Sequence, residues 1–229
     1  MMKRSLIQES IEWAKALLEE YRISLPAFGY WSADDWKTKA SEIDTIRKTM
    51  LGWDVTDYGN DKFFDIGTVL FTLRNGMLDG SNTGTPYAEK LILVHPGQRL
   101  PIHMHKGKTE DIISRAGGAY EIKLWNSDTD EQPDPNTVVE VYSDGTRLTV
   151  QPGEVLRIEN GQSLTLTPYL YHSFWGAKDA APAIIGEVSS INDDNTDNYF
   201  AEEVRRFSMI DEDAAQTYIL CNEYDNLFK

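Results

Sequence analysis

The feature that most limits how this chain can fold is a change of periodicity at Gly52. Before it, apolar residues recur at helical spacing. After it, as far as about Ser190, the sequence breaks into short runs rich in β-branched and aromatic residues, each bounded by Gly, Asn, Asp or Pro. From Ser5 to Arg22 the stripe Ile7, Ile11, Ala14, Leu18 and Tyr21 predicts an amphipathic helix, which Pro26 prevents from continuing. A second helix is expected from about Ser32, where Ser32-Ala33-Asp34-Asp35 offers an N-cap and acidic first-turn residues; Trp36, Ala40, Ile43 and Ile46 form its buried stripe. Beyond Gly52 the clearest strands alternate: Tyr120, Ile122 and Leu124 against Glu121 and Lys123, then Leu148 and Val150, then Leu164 and Leu166. Alternation of this kind means one buried face. Segments near residues 64–74, 88–95, 100–105, 110–115, 137–143, 154–159, 171–175 and 183–189 add further strands with no helical pattern between them. The expectation is a mainly β fold, an antiparallel sandwich or barrel with the N-terminal helices packed on it. The polar tracts 128–136 and 192–198 read as solvated loops. With no internal repeat and no linker, a single domain is expected over 1–229, with a helical extension at 1–50 and a β-barrel with a C-terminal segment at 51–229.

Charge excludes several function classes. With 37 acidic against 22 basic side chains the net charge is -15, a field that repels nucleic acid and anionic lipid, so neither is expected as a partner. Lys3-Arg4 is followed by Gln8-Glu9-Ser10 rather than an apolar run, so no secretion signal is expected, and no stretch is apolar enough for a membrane span. The one cysteine, Cys221, has no internal partner; in Tyr218-Ile219-Leu220-Cys221 it reads as a buried small hydrophobe and suits a cytoplasmic address. Amphipathic stripes require burial, and a homodimer is the default expectation for the assembly.

Chemistry concentrates in one segment, Gly97-x5-His103-x-His105-x4-Glu110-x6-Gly117. On a strand, His103 and His105 project from the same face. Lys106-Gly107 supplies a turn, and Glu110 enters on the return strand as a third donor. Imidazole plus carboxylate suits Mn2+, Fe2+, Co2+, Ni2+ or Zn2+, and the lack of thiolates argues against a closed structural zinc site. His95, just before Pro96-Gly97, reads as an ordinary structural histidine.

This spacing resembles the first cupin motif, which implies a jelly-roll-like antiparallel β-barrel. The second cupin motif ends in a histidine after a Pro-x-Gly-x-x-His turn; the nearest equivalent is Thr167-Pro168-Tyr169-Leu170-Tyr171-His172, with Tyr169 where the motif has Gly, and the resemblance makes His172 a fourth ligand. Longer blocks resemble the D-lyxose isomerase family of cupins: Lys108-Thr109-Glu110-Asp111-Ile112-Ile113, Leu170 to Trp175, Gly186 to Asp194, Leu51 to Thr56, Phe71 to Gly76, Tyr87 to Lys90 and Leu220 to Tyr224. The resemblance implies an enzyme that interconverts D-lyxose with D-xylulose, and D-mannose with D-fructose, on one divalent ion, typically Mn2+.

Such a reaction moves a proton between C1 and C2 while negative charge gathers on O1 and O2. Lys108 would stand beside the metal and stabilise that charge if it shares a face with Glu110; a solvated turn lysine is the alternative. Glu110 and Glu187 are the candidate acid/base groups. Apolar neighbours in Ile185-Gly186-Glu187-Val188 would raise the Glu187 pKa if it faces inward. Lys90 is either a substrate hydrogen-bond donor or an edge-strand lysine. Trp175, with Tyr171 and Phe174, is either the floor of a sugar pocket or core. Two rival readings use the same ligands: a non-catalytic sugar-binding cupin, and an Fe(II)-dependent cupin dioxygenase with O2 in the open positions.

Overall fold

The computed structural model describes residues 1–39 and 42–226. Its helices are α1 (Arg4–Glu20), α2 (Ala33–Thr38) and α3 (Asp44–Lys48). Its strands are β1 (Met2–Lys3), β2 (Gly52–Thr56), β3 (Thr68–Gly76), β4 (Gly84–Val94), β5 (His103–Met104), β6 (Glu110–Gly117), β7 (Tyr120–Asn126), β8 (Val139–Ser143), β9 (Thr146–Val150), β10 (Val155–Ile158), β11 (Ser163–Leu166), β12 (Leu170–Gly176), β13 (Ala183–Ser189), β14 (Tyr199–Phe200) and β15 (Ile210–Asp211). An eight-stranded antiparallel sheet runs β2-β3-β4-β13-β6-β11-β8-β9, and a five-stranded one runs β10-β7-β12-β5-β14. The two face each other without closing into one hydrogen-bonded ring, the double-sheet form of a jelly roll. The mainly β, cupin-like expectation is met.

Period-two alternation decides what lies between the sheets. Leu70, Ile92, Ile112, Leu164 and Ile185 of the larger sheet meet Tyr120, Ile122, Leu124 and Phe174 of the smaller one in a shared core. The neighbours of these residues on β3, β4 and β13 point the other way: Val69, Phe71, Leu91, Leu93 and Ile184 pack against Ile7, Ile11, Ala14 and Leu18 of α1. Burial on both faces explains why β3 and β4 read as unbroken apolar runs rather than alternating ones. Each such side chain contributes roughly 1.5–3 kcal/mol by leaving water. The stripe of α1 is therefore buried on the back of the larger sheet.

The second helix departs from expectation. A capping box starts α2, with the Ser32 hydroxyl accepting from the Asp35 N–H and the Asp35 carboxylate accepting from the Ser32 N–H. The helix ends at Thr38, and Ile43 has non-helical dihedrals at the start of the separate α3. Trp36 and Ile43 nonetheless bury in one cluster with Ile219, Cys221 and Tyr224, so packing on the C-terminal segment overrides helical continuity. Ala40 lies outside the described residues. Cys221 is a buried free thiol, as read from its neighbours. Among the described residues no helix is long and apolar enough to cross a membrane.

The turn before β12 shows how a non-glycine serves where the cupin motif has glycine. Tyr169 takes a left-handed conformation, φ 64°, and its N–H donates to the His105 carbonyl at 2.8 Å, tying the two histidine-bearing segments together. An L-residue held there costs roughly 1–2 kcal/mol. Tyr169→Gly is accordingly expected to unfold thermally at the same or a higher temperature than the parent, and Tyr169→Val, β-branched, at a lower one. A glycine variant that melts several degrees early would show that contacts of the tyrosine ring, rather than its backbone, hold the turn.

Candidate active site

His103 on β5, His105 just beyond it, Glu110 at the start of β6 and His172 on β12 converge between the sheets, all nearly inaccessible to water. His172 is the direct cross-strand partner of His103. Each imidazole is oriented by the backbone: Nδ1 lies 2.8 Å from the Pro101 carbonyl in His103, 2.5 Å from the Asp197 carbonyl in His105 and 3.1 Å from the Leu170 carbonyl in His172. A carbonyl only accepts, so Nδ1 carries the hydrogen. Burial first, then the neighbouring imidazoles, holds His103 well below the usual histidine range; burial, with the Lys108 ammonium second, does the same for His105, and burial also lowers His172. The rings are thus neutral, with Nε2 bare.

The three imidazoles bring potential ligand atoms within 4.8 Å of one another. Glu110 Oε1 lies 3.2 Å from His172 Nε2 and 3.7 Å from His105 Nε2, and it is a buried oxygen with no hydrogen-bond donor among the described residues. A buried carboxylate oxygen without a donor beside bare imidazole nitrogens is costly unless a cation completes the set. The residues fit a divalent metal, with the Nδ1–H···O=C bonds as the outer layer that fixes ligand orientation.

Beside this donor set runs a buried row of alternating charges. Lys108 Nζ is 2.8 Å from Glu110 Oε2, 2.8 Å from Glu187 Oε1 and 3.2 Å from Asn192 Oδ1. It lies just before β6, inside the protein, so the solvated-lysine alternative falls. Lys90 Nζ is 3.8 Å from Glu187 Oε1 and 3.4 Å from Asp194 Oδ1. Its strand, β4, lies between β3 and β13, so the edge-strand alternative falls as well. Arg206 continues the row, with Nη2 3.1 Å from Asp194 Oδ1 and Nη1 2.6 Å from Asp54 Oδ2.

These neighbours reverse the expected titration of Glu187. Its carboxylate does face inward, and burial pushes it up, but the Lys108 and Lys90 ammonium groups outweigh burial and hold it below the ordinary range. Glu110 behaves alike: burial raises it, Lys108 and His172 lower it, and it settles at about 2. Both carboxyl groups are ionised at neutral pH. In Asp194 the raising effect of burial is overcome by Arg206 and Lys90, which hold it well below the usual range.

Two expectations are corrected. Trp175 does not reach the site: His172 and Phe174 face inward, so Trp175 lies on the outer face of β12, where its indole N–H donates to Glu121 at 2.7 Å. Tyr171 also points outward, donating to the Glu131 carbonyl at 2.7 Å. The tract 192–198 is only partly solvated. Asn192, Asp194 and Asp197 turn inward to hold Lys108, Lys90 and His105, while Asn195 and Thr196 stay exposed. His95 is away from the site, stacked on Trp13 with ring centroids 3.8 Å apart.

Asp194, Asn198, Arg206 and Tyr58 line the same cavity as the histidines, and none was singled out from the sequence. Asn192 and Asp194 do lie in the block Gly186 to Asp194 that carried the family resemblance, a usable signal. Arg206, in an irregular stretch, offers none.

Comparison with known proteins gives the chain its family. The family model for D-lyxose isomerase matches residues 2–224. The D-lyxose/D-mannose isomerase of Escherichia coli O157:H7 is 40% identical over 228 residues, 97% of this chain and 98% of the relative. That of Serratia proteamaculans is 39% identical over 224 residues, with the same coverage of both chains. Among solved structures, the L-ribose isomerase of Acinetobacter sp. DL28 in complex with L-ribose superposes with a TM-score of 0.61 at 17% identity, covering 92% of this chain and 98% of that one. The L-ribose isomerase of Geodermatophilus obscurus gives 0.56 at 19% identity with the same coverage. At such identities the structural likeness shows a shared fold, and the sequence matches carry the assignment: the chain belongs to the D-lyxose isomerase family.

Proposed function

We propose that this sugar isomerase interconverts D-lyxose with D-xylulose, and D-mannose with D-fructose, using one divalent ion, Mn2+ ahead of Co2+, Fe2+, Ni2+ or Zn2+. The observation that carries the reading is an ionised, buried Glu187 held one ammonium group away from a convergent set of metal-competent donors. The named relatives support the substrates. His103, His105, Glu110 and His172 would hold the ion, which when bound supplies Lewis-acid stabilisation of charge on the two substrate oxygens.

The remaining chemistry belongs to the chain. Glu187 must start ionised to take the proton from C2 and then return it to C1, and the two lysines keep it so. Lys108 has each of its three N–H donors matched to a protein acceptor, at 2.8, 2.8 and 3.2 Å, so its part is to fix Glu110 and Glu187 relative to each other and to add positive potential. Lys90 has no acceptor nearer than 3.4 Å among the described residues and keeps donors for substrate hydroxyls. Leu70, Ile92 and Phe174 wall the cavity with apolar surface that limits water around the developing charge. A single domain, a homodimer and a cytoplasmic address complete the reading. They rest on α1 packing directly on the larger sheet, on the prevalence of two-fold assemblies, and on the lone thiol.

Mn2+-loaded protein incubated with D-lyxose in the absence of O2 is expected to yield D-xylulose, and prior treatment with a chelator to abolish the yield. Ketose formation only with O2, or sugar binding without turnover, would contradict the proposal. Glu187→Gln is expected to lower kcat by about 10²–10⁴-fold while still binding one Mn2+ per chain, the span usual for a lost acid/base group. A variant that keeps wild-type kcat would remove Glu187 from the reaction.

A further inference from the structure

We infer that Asp194, held in place by Arg206, reads the C4 hydroxyl of the open-chain sugar and thereby sets which epimers are accepted; the inference rests on the aldose–ketose reaction proposed above. The cavity that contains the metal-competent donors is lined at its other side by Lys90, Asp194, Asn198 and Arg206. Hydrogen-bond geometry separates the two buried lysines. Lys108 is saturated by near acceptors, whereas Lys90, equally buried, is only loosely engaged. Asp194 is engaged just as loosely. Lys90 Nζ, Arg206 Nε, Arg206 Nη2 and Asn198 Nδ2 approach its Oδ1 at 3.4, 3.3, 3.1 and 3.5 Å. Charge-assisted bonds normally settle at about 2.7–2.9 Å.

A cation and an anion that face one cavity with slack geometry suit a group that donates and accepts at once. A sugar hydroxyl does both, giving its hydrogen to Asp194 and taking one from Lys90. Position along the chain follows from reach. Glu187 serves C1 and C2; Lys90 Nζ lies 3.8 Å from Glu187 Oε1, and Asp194 Oδ1 another 3.4 Å from Lys90. Hydroxyl oxygens on adjacent carbons of an open-chain sugar lie roughly 3–3.7 Å apart, the same spacing as these steps, so Lys90 reaches O3 and O4 and Asp194 takes the hydrogen of O4.

The rest of the surroundings keeps Asp194 where it is. Arg206 is braced from behind by Asp54 of β2, 2.6 Å away. The base of the loop is clamped by Asn75 of β3, whose amide donates to the Asn192 carbonyl at 2.8 Å and accepts from the Asn192 N–H at 3.0 Å. A preset polar pair discriminates strongly, because a substrate that presents no hydroxyl there leaves both members buried with only their long contacts to each other and to Arg206.

D-Lyxose and D-mannose share their configuration at C2, C3 and C4, and L-ribose is D-lyxose inverted at C4 alone. The test is kcat/KM for D-lyxose, L-ribose and 4-deoxy-D-lyxose with the Mn2+-loaded parent, Asp194→Ala and Arg206→Lys. The parent is expected to favour D-lyxose over each of the other two by at least about 100-fold. Asp194→Ala should bring both ratios below about tenfold, chiefly through a raised KM for D-lyxose, while binding one Mn2+ per chain. Arg206→Lys, which keeps the charge but loses the planar fork, should fall between them, and it decides the matter should Asp194→Ala not fold. A parent that handles D-lyxose and L-ribose within threefold of each other, or variants that keep the parental ratios, would overturn the inference alone. A parent that turns over no aldose would overturn the proposed reaction and this inference with it.

Discussion

The ammonium group of Lys108, buried between Glu110 and Glu187, is the contact on which the site depends. Three buried charges so close together are costly, and they are tolerated because each donor of the lysine meets an acceptor at 2.8–3.2 Å. Removing the lysine would leave two carboxylates facing each other across a gap and push at least one of them to take up a proton. Its presence keeps both ionised. One is thereby free to face the imidazoles with an unshared oxygen, and the other is ready to accept a proton. The alternation continues through Lys90, Asp194 and Arg206 to Asp54, so the site is a single electrostatic unit rather than a metal pocket with separate accessories.

The fold makes that unit possible by being rigid on both sides. Glu187 and Lys90 are register partners on adjacent strands of the larger sheet, and His172 and His103 are partners on the smaller one. Helix α1 covers the back of the larger sheet, so β3, β4 and β13 are clamped between two apolar layers while their inward polar residues remain fixed. The short β5 carries little pairing of its own. His103 on it and His105 just after it are steadied by carbonyls of Pro101 and Asp197 and by the Tyr169 turn, which places the orientation of both imidazoles under backbone control.

What the sequence disclosed follows from range. Period-two alternation and a motif of close spacing are local, so the strands, the shared face of His103 and His105, and the return of Glu110 were legible. The spacing also held the answer for Trp175: three residues beyond an inward His172, a strand residue faces outward. Glu187 shows the limit of local reading, since its sequence neighbours are apolar and imply a raised pKa, whereas its spatial neighbours are lysines from β4 and from the segment before β6. Arg206 and Asp194 sit in irregular backbone with no period to betray their direction, and two-residue strands such as β14 and β15 are too short to carry one. The split of the second helix arose in the same way, from packing of Trp36 and Ile43 on a segment more than 170 residues away.

In the proposed reaction a carboxylate carries a proton between adjacent carbons, as opposed to a hydride passing directly from one to the other. Isomerisation of D-lyxose in D2O, with the ketose analysed for deuterium at C1, tests this most directly. A carboxylic acid proton exchanges with solvent during some turnovers, so deuterium at C1 is expected to rise as the reaction cycles, and to rise about 10²–10⁴-fold more slowly with Glu187→Gln. Ketose that forms at full rate over many turnovers with no deuterium at C1 would contradict it.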